Sequence, residues 1–231
     1  MHLPAPTVYL FDIDGTLIAT GGAGRRAVEV AFARLTGRAD ACAGFSFGGM
    51  TDRAIARAGL LAAGESVSEA RIDQILDAYL QTLHAEIAAS AGYRVLPGVP
   101  EILARLKERG GCAVGLGTGN IRRGAEIKLA RGDLHQHFAF GGFGCDHEDR
   151  AELLRIGAER GAARLGCPRA ACRVIVIGDT VRDVQAALAI DAVCIGVGTG
   201  GIALGELLQA GATAVCEDLR SAGDPDLLPF F

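Results

Sequence analysis

Residues 8–17 read VYLFDIDGTL: an apolar run from Val8 to Phe11 carries straight into Asp12, and a second carboxylate follows at Asp14. A short apolar stretch of this kind predicts a strand buried on both faces, as in a parallel sheet. Side chains two apart on an extended chain share a face, so both carboxylates aim the same way. Two like charges at the end of a buried strand repel, and loss of water makes each costlier to keep ionised. Such a pair must be offset by a cation or used in chemistry.

Strand-like runs recur at Cys112–Leu116, Phe138–Phe140, Arg173–Ile177, Val193–Val197 and Ala214–Cys216. The segments between them have helical period or helix stops: Val99, Leu103 and Leu106 before Gly110; Leu153, Ile156 and Leu165 before Pro168; then Val184, Ala187 and Leu188. Strand and helix in alternation predict an α/β fold, a doubly wound parallel sheet with right-handed crossovers. Residues 18–94 break that rhythm, with no convincing strand and at least two amphipathic helices. One stripe is Val28, Ala31, Phe32 and Leu35; a longer one is Ile72, Ile75, Leu76, Tyr79, Leu80, Leu83 and Ile87. Ser66 and Glu69 have the spacing of a capping box for the longer helix. The organisation expected is a Rossmann-like core of residues 1–17 and 95–231, with 18–94 as an inserted α-helical cap. An insertion directly after the first strand sits over the sheet edge where open α/β sheets bind ligands.

The chain has 231 residues, of which 50% are hydrophobic and 22% charged, so it is expected to bury a core rather than stay disordered. A net charge of −4 argues against a nucleic-acid or anionic-membrane surface. No apolar run reaches the ~18 residues of a spanning helix. The opening MHLPAPT lacks the charged and apolar regions of a signal peptide. The seven cysteines form no CxxC pair, and Cys167 with Cys172 lacks the second pair or histidines of a metal clip. A reduced, cytoplasmic setting is the expectation. Oligomeric state stays open.

Three strands end in polar residues able to act together. The first ends in Asp12, Asp14, Gly15 and Thr16; the second in Thr118, Gly119 and Asn120; the fourth in Gly178, Asp179, Thr180 and Asp183. Singly, such residues cap helices and permit turns. Jointly they bring four carboxylates to one edge of one sheet, where Mg²⁺ with oxygen ligands would offset their repulsion. Thr118 and the helix start after it offer a hydroxyl and backbone N–H groups to a phosphate.

These motifs resemble the haloacid dehalogenase superfamily. Its DxDGT matches Asp12–Thr16, its Ser or Thr after the second strand matches Thr118, and its GDxxxD matches Gly178–Asp183. The helical insertion resembles the cap of phosphoglycolate phosphatases. The resemblance implies a Mg²⁺-dependent phosphatase acting on a small phosphate monoester, phosphoglycolate-like or a sugar phosphate. Asp12 would be the nucleophile, forming an aspartyl-phosphate, and Asp14 the general acid and base. Thr118, Gly119 and Asn120 would bind phosphate. The metal would be held by Asp12, the backbone carbonyl of Asp14, Asp179 and Asp183. In related enzymes a cap loop closes on the leaving group; here FGGMTDR, residues 47–53, puts Thr51 and Asp52 forward for specificity, although Thr51 equally suits a helix cap.

Asp14 also separates the branches of the superfamily. An alkoxide needs an acid two residues after the nucleophile, whereas dehalogenases need neither that acid nor the metal. Phosphonate hydrolases use a cap lysine, and the two lysines here, Lys107 and Lys128, lie outside 18–94. A phosphosugar mutase of the β-phosphoglucomutase type keeps every core residue, but usually has Val after DxDG and a nearby cap histidine. Here Thr16 follows, and IATGGAGRRAVEV has no histidine. A phospho-accepting receiver domain is the non-enzymatic alternative; it runs without a cap.

The superfamily's third motif, a lysine followed by proline between the third and fourth strands, is missing. Lys128 stands ~10 Å along its helix from the phosphate-facing end, so it is expected to be solvated. Arg150 opens the next helix on the same edge as Asp12, and its fork of donors suits both phosphate and carboxylate. Arg150 is therefore the expected third-motif residue, with Lys128 as the alternative. His135, His137, Arg25–Arg26 and Arg122–Arg123 are expected to be solvated, the last pair close enough to Thr118 to meet substrate, and His147 is expected to be a loop histidine in charge contacts.

Overall fold

A computed structural model describes residues 5–224, 227 and 229–231. The first strand, β1 (Thr7–Phe11), is buried throughout. It pairs in parallel with β4 (Cys112–Thr118) on one side and β6 (Arg173–Gly178) on the other. With β5 (Gly141–Phe143), β7 (Val193–Val197) and β8 (Ala214–Cys216) they form a sheet of order β5-β4-β1-β6-β7-β8. Every pairing in it is parallel. The chain runs outward from β1 to β5, then crosses back to β6, so the direction of strand order reverses beside β1. Ligands bind outside the carboxyl ends of strands at such a reversal.

Alternation along β1 splits the core. Tyr9 and Phe11 point to one face with Ile175 and Ile177, against Ile102 and Leu106 of α4 (Val99–Glu108) and Leu129 of α5 (Arg122–Ala130). Val8 and Leu10 point to the other with Val174 and Val176, against Leu153 and Leu154 of α6 (Arg150–Arg164) and Val184 of α7 (Val181–Leu188). Both faces are covered, so the strands read as continuous apolar runs. A short helix, α8 (Leu204–Gln209), completes the second layer.

The insertion carries a third apolar cluster, including Phe32, Leu60, Ile72, Ile75 and Leu83. It comprises α1 (Ala23–Thr36), α2 (Asp52–Ala62) and α3 (Glu69–Ala89). Three details depart from the sequence reading. The insertion is entered and left through two short antiparallel strands, β2 (Ile18–Thr20) and β3 (Tyr93–Val95), too brief for any periodicity to show. Ser68, not Ser66, caps α3, accepting from the Arg71 N–H. The third parallel strand lies at Gly141–Phe143 rather than 138–140. Its glycines carry no strand signal, yet a Cβ on Gly142 would stand 1.7 Å from the Leu153 carbonyl, so α6 packs directly on that backbone. Among the described residues, no helix is long and apolar enough to cross a membrane.

Candidate active site

The register places Phe11 beside both Leu116 and Ile177, so Asp12 leaves the sheet between the ends of β4 and β6. Its own N–H still donates to the Ile177 carbonyl, which fixes where the side chain emerges. Asp179 follows β6, and its Oδ1 accepts from Thr16 Oγ1 at 3.0 Å. Gly15 is required beside it: at φ +88°, a Cβ there would lie 2.3 Å from Asp179 Oδ2. Asp183, in the first turn of α7, accepts on Oδ2 from the N–H and hydroxyl of Thr180, completing a capping box. Oxygens of Asp12, Asp179 and Asp183 lie within 4.8 Å of one another, and all three residues are buried.

Among the described residues, a single cation enters this cluster. Arg150 opens α6, whose start is capped by Asp149, and its side chain reaches back between two carboxylates. Nη2 stands 3.1 Å from Asp12 Oδ1, and Nε donates to Asp183 Oδ1 at 2.9 Å. One guanidinium does not balance three acids. Burial, with the charges of Asp183 and Asp14 behind it and Arg150 opposing, pushes the Asp12 carboxyl up to about 6. Burial together with Asp183 and Asp12 pushes Asp179 up to about 8. This excess of buried negative oxygen is what a hard divalent cation relieves. The donor set fits: Asp183 has both oxygens engaged, by Arg150 and Thr180, which leaves Asp12 and Asp179 as the open ligands with Asp183 behind them. The Asp14 side chain stands outside the cluster and turns toward α5.

Asp14 Oδ2 accepts from Asn120 Nδ2 at 2.8 Å and from Lys128 Nζ at 2.7 Å. Lys128 is 5% exposed, so it is not the solvated lysine expected. The expectation counted rise along the axis. It neglected that helical side chains lean toward the N-terminus, and that α5 begins only at Arg122. Burial opposes the ammonium, but the carboxylates of Asp14 and Asp52 outweigh it and raise its pKa. Thr118 is fully buried; its Oγ1 accepts from the N–H and side-chain amide of Asn120, so its own proton remains to be donated. The start of α5 is less open than expected: Asn120 N bonds Thr118, Ile121 N bonds Asp52 Oδ2 at 2.8 Å, and Arg122 N reaches Cys145 Sγ.

A cavity of about 330 Å³ opens over Asp12, Asp14, Asp179 and Arg150, with Asn120 and Lys128 in its wall. Its far side comes from the insertion: Phe47, Met50, Asp52 and Tyr79 among others. Asp52 faces the cavity, and burial pushes its carboxyl up to about 6 against the pull of Lys128. Thr51 does not line it; its hydroxyl caps α2 at Ala54 N and donates to the Glu148 carbonyl. Arg25, expected to be solvated, is half-buried over Phe47 and donates to the Cys42 and Phe45 carbonyls, fastening the loop that walls the cavity. His135, His137, His147, Arg26, Arg122 and Arg123 are exposed. Sequence reasoning ranked Lys128 second to Arg150 and read Tyr79 only as core. A signal existed for the first: only two of the 23 basic residues are lysines.

A family model described as haloacid dehalogenase-like hydrolase matches residues 6–191, and the chain belongs to that family. No curated protein matches the sequence. Solved structures share the fold over nearly the whole chain. A hydrolase from Pseudomonas syringae is 23% identical, with 94% of this chain and 95% of that one covered at a TM-score of 0.68. CbbY from Rhodobacter sphaeroides in complex with phosphate is 19% identical, covering 94% and 96% at a TM-score of 0.70. A predicted phosphoglycolate phosphatase from Haemophilus somnus 129pt is 15% identical, covering 96% and 97% at a TM-score of 0.66.

Proposed function

We propose that this hydrolase is a Mg²⁺-dependent phosphatase that cleaves a small phosphate monoester through an aspartyl-phosphate on Asp12. The observation that carries the reading is the division of labour between two carboxylates two residues apart. Asp12 is buried against Arg150 and the acidic cluster. The Asp14 side chain is 40% exposed, on the cavity wall. The first suits attack on phosphorus, the second proton exchange with a leaving oxygen and then with water.

Arg150 holds Asp12 in line, and its guanidinium fork takes the third-motif role for the phosphoryl group. Thr118 donates its hydroxyl proton to a phosphoryl oxygen. Asp12 and Asp179, with the Asp14 carbonyl and Asp183 in support, would hold Mg²⁺, which would supply positive charge that shields the nucleophile from an anionic substrate. The insertion acts as the cap, with Asp52 facing the leaving group and Thr51 setting the start of α2. CbbY was solved with phosphate bound, which accords with a phosphate site on this fold.

The test is steady-state release of inorganic phosphate from p-nitrophenyl phosphate and a panel of sugar and organic-acid phosphates. Turnover is expected with Mg²⁺, lost in EDTA and poorly restored by Ca²⁺, which takes more ligands at longer distances. Full activity after chelation would refute the metal assignment. Phosphate moved within a sugar instead of released would make the protein a mutase. Saturable phosphorylation without turnover would mark a receiver.

Arg150→Ala should lower kcat/KM by at least ~10², about 2.7 kcal/mol of transition-state stabilisation. A loss confined to a few-fold would remove Arg150 from the phosphoryl site.

A further inference from the structure

The proposed chemistry leaves a buried cation without a task. Lys128 sits in α5 with its ammonium 2.7 Å from Asp14 Oδ2 and 2.6 Å from Asn120 Oδ1. Lysine only donates, so the Asn120 oxygen must face it, which fixes the amide the other way round toward Asp14 Oδ2 and Thr118 Oγ1, both at 2.8 Å. The lysine's own turn of helix is tied down by the Tyr93 hydroxyl, which donates to the Lys128 carbonyl at 2.8 Å. From the insertion, Asp52 supplies further negative charge, and Gly24 approaches so closely that a Cβ there would stand 3.4 Å from Nζ.

A stabilising role does not account for this. Burying an ammonium is costly even when it is paired, and a well-packed apolar residue usually serves stability as well or better. Asp14 has no need of a buried partner, because its side chain is 40% exposed to the cavity. What the two donors achieve is directional. Both land on the same oxygen, Oδ2, one from Asn120 and one from Lys128.

We infer that Lys128 is a positioning residue for proton transfer: with Asn120 it pins Asp14 Oδ2 and leaves Oδ1 as the oxygen that protonates the leaving group. This rests on the phosphatase reading above. In the first step the Oδ1–H bond breaks and an O–H bond forms on the leaving oxygen, which keeps the electrons of the broken P–O bond. Asp14 is left as a carboxylate facing the ammonium. In the second step Oδ1 takes a proton from the water that attacks phosphorus, and the bond from phosphorus to Asp12 breaks with its electrons returning to the Asp12 carboxylate. The basic function that the family places on the nucleophile is thus divided, with Arg150 on Asp12 and Lys128 on Asp14.

The readout is leaving-group dependence. p-Nitrophenolate departs without a proton, whereas the more basic phenolate of phenyl phosphate benefits from one. kcat/KM covers only the steps through departure, so the ratio of the two kcat/KM values isolates proton donation. It is also independent of how much of a variant is correctly folded. In the full-length protein with Mg²⁺, Lys128→Met should lower kcat/KM for phenyl phosphate at least ~10-fold more than for p-nitrophenyl phosphate. Asp14→Asn should shift the ratio in the same direction. An unchanged ratio in Lys128→Met beside a shifted one in Asp14→Asn overturns the role of Lys128 while the phosphatase reading stands. Unchanged ratios in both overturn the acid role of Asp14 and this inference with it.

Discussion

Asp12→Asn is expected to abolish turnover and leave the protein folded. An amide is a poor nucleophile and cannot form the acyl phosphate. The substitution is nearly isosteric, and its carbonyl oxygen can still accept from Arg150, which keeps Asp183 as its charged partner. The fold should not suffer. In the metal-free protein, burial with the charges of Asp183 and Asp14, Arg150 opposing, pushes Asp12 up to about 6, so the buried charge that the amide removes there is an unfavourable one. Comparison of turnover in Mg²⁺ with thermal unfolding in EDTA checks both halves: background activity, at a metal-free Tm no lower than that of the wild type, is the expected pair. Near-normal kcat would end the nucleophile assignment.

Asp14→Asn should lower kcat by roughly 10²–10⁴ for a substrate with a basic leaving oxygen, the range of general acid–base catalysis. The geometry makes this a clean deletion of the proton. The asparagine oxygen can take the place of Oδ2 and accept the bonds from Asn120 and Lys128. Its NH₂ then faces the cavity, in the right place but without an acidic proton. Activity within a few-fold of wild type would mean that the leaving oxygen is protonated from elsewhere.

Much of this site was legible because the features that build it are local. Val8–Phe11 is apolar without interruption because β1 is covered on both faces, and Asp12 and Asp14 stand out against it. Gly178 to Asp183 shows a strand end, a cap and a helix start in six letters, and the capping box is present in the structure. What was not legible depends on approach in space. Gly141–Phe143 looks like a loop because two of its three residues are glycines, with Gly142 pressed on the α6 backbone and Gly141 on Leu116 of β4. The start of α5 reads as a row of free N–H groups, yet Asp52, far away in sequence, closes it at Ile121. Lys128 reads as a solvated helix residue, because only the fold brings Asp14 and Asn120 within reach of its ammonium. The first two of these misses are approaches in space that no period or propensity encodes; the third also turns on the lean of helical side chains toward the N-terminus.

The central claim is that the phosphoryl group passes through Asp12, in two displacements rather than one. Each in-line displacement inverts the configuration at phosphorus. Hydrolysis of a monoester made chiral at phosphorus with oxygen isotopes, run in isotopically labelled water, counts them directly. Two displacements give inorganic phosphate with net retention, the result expected here. Net inversion would show water attacking the substrate directly and would contradict an aspartyl-phosphate on Asp12.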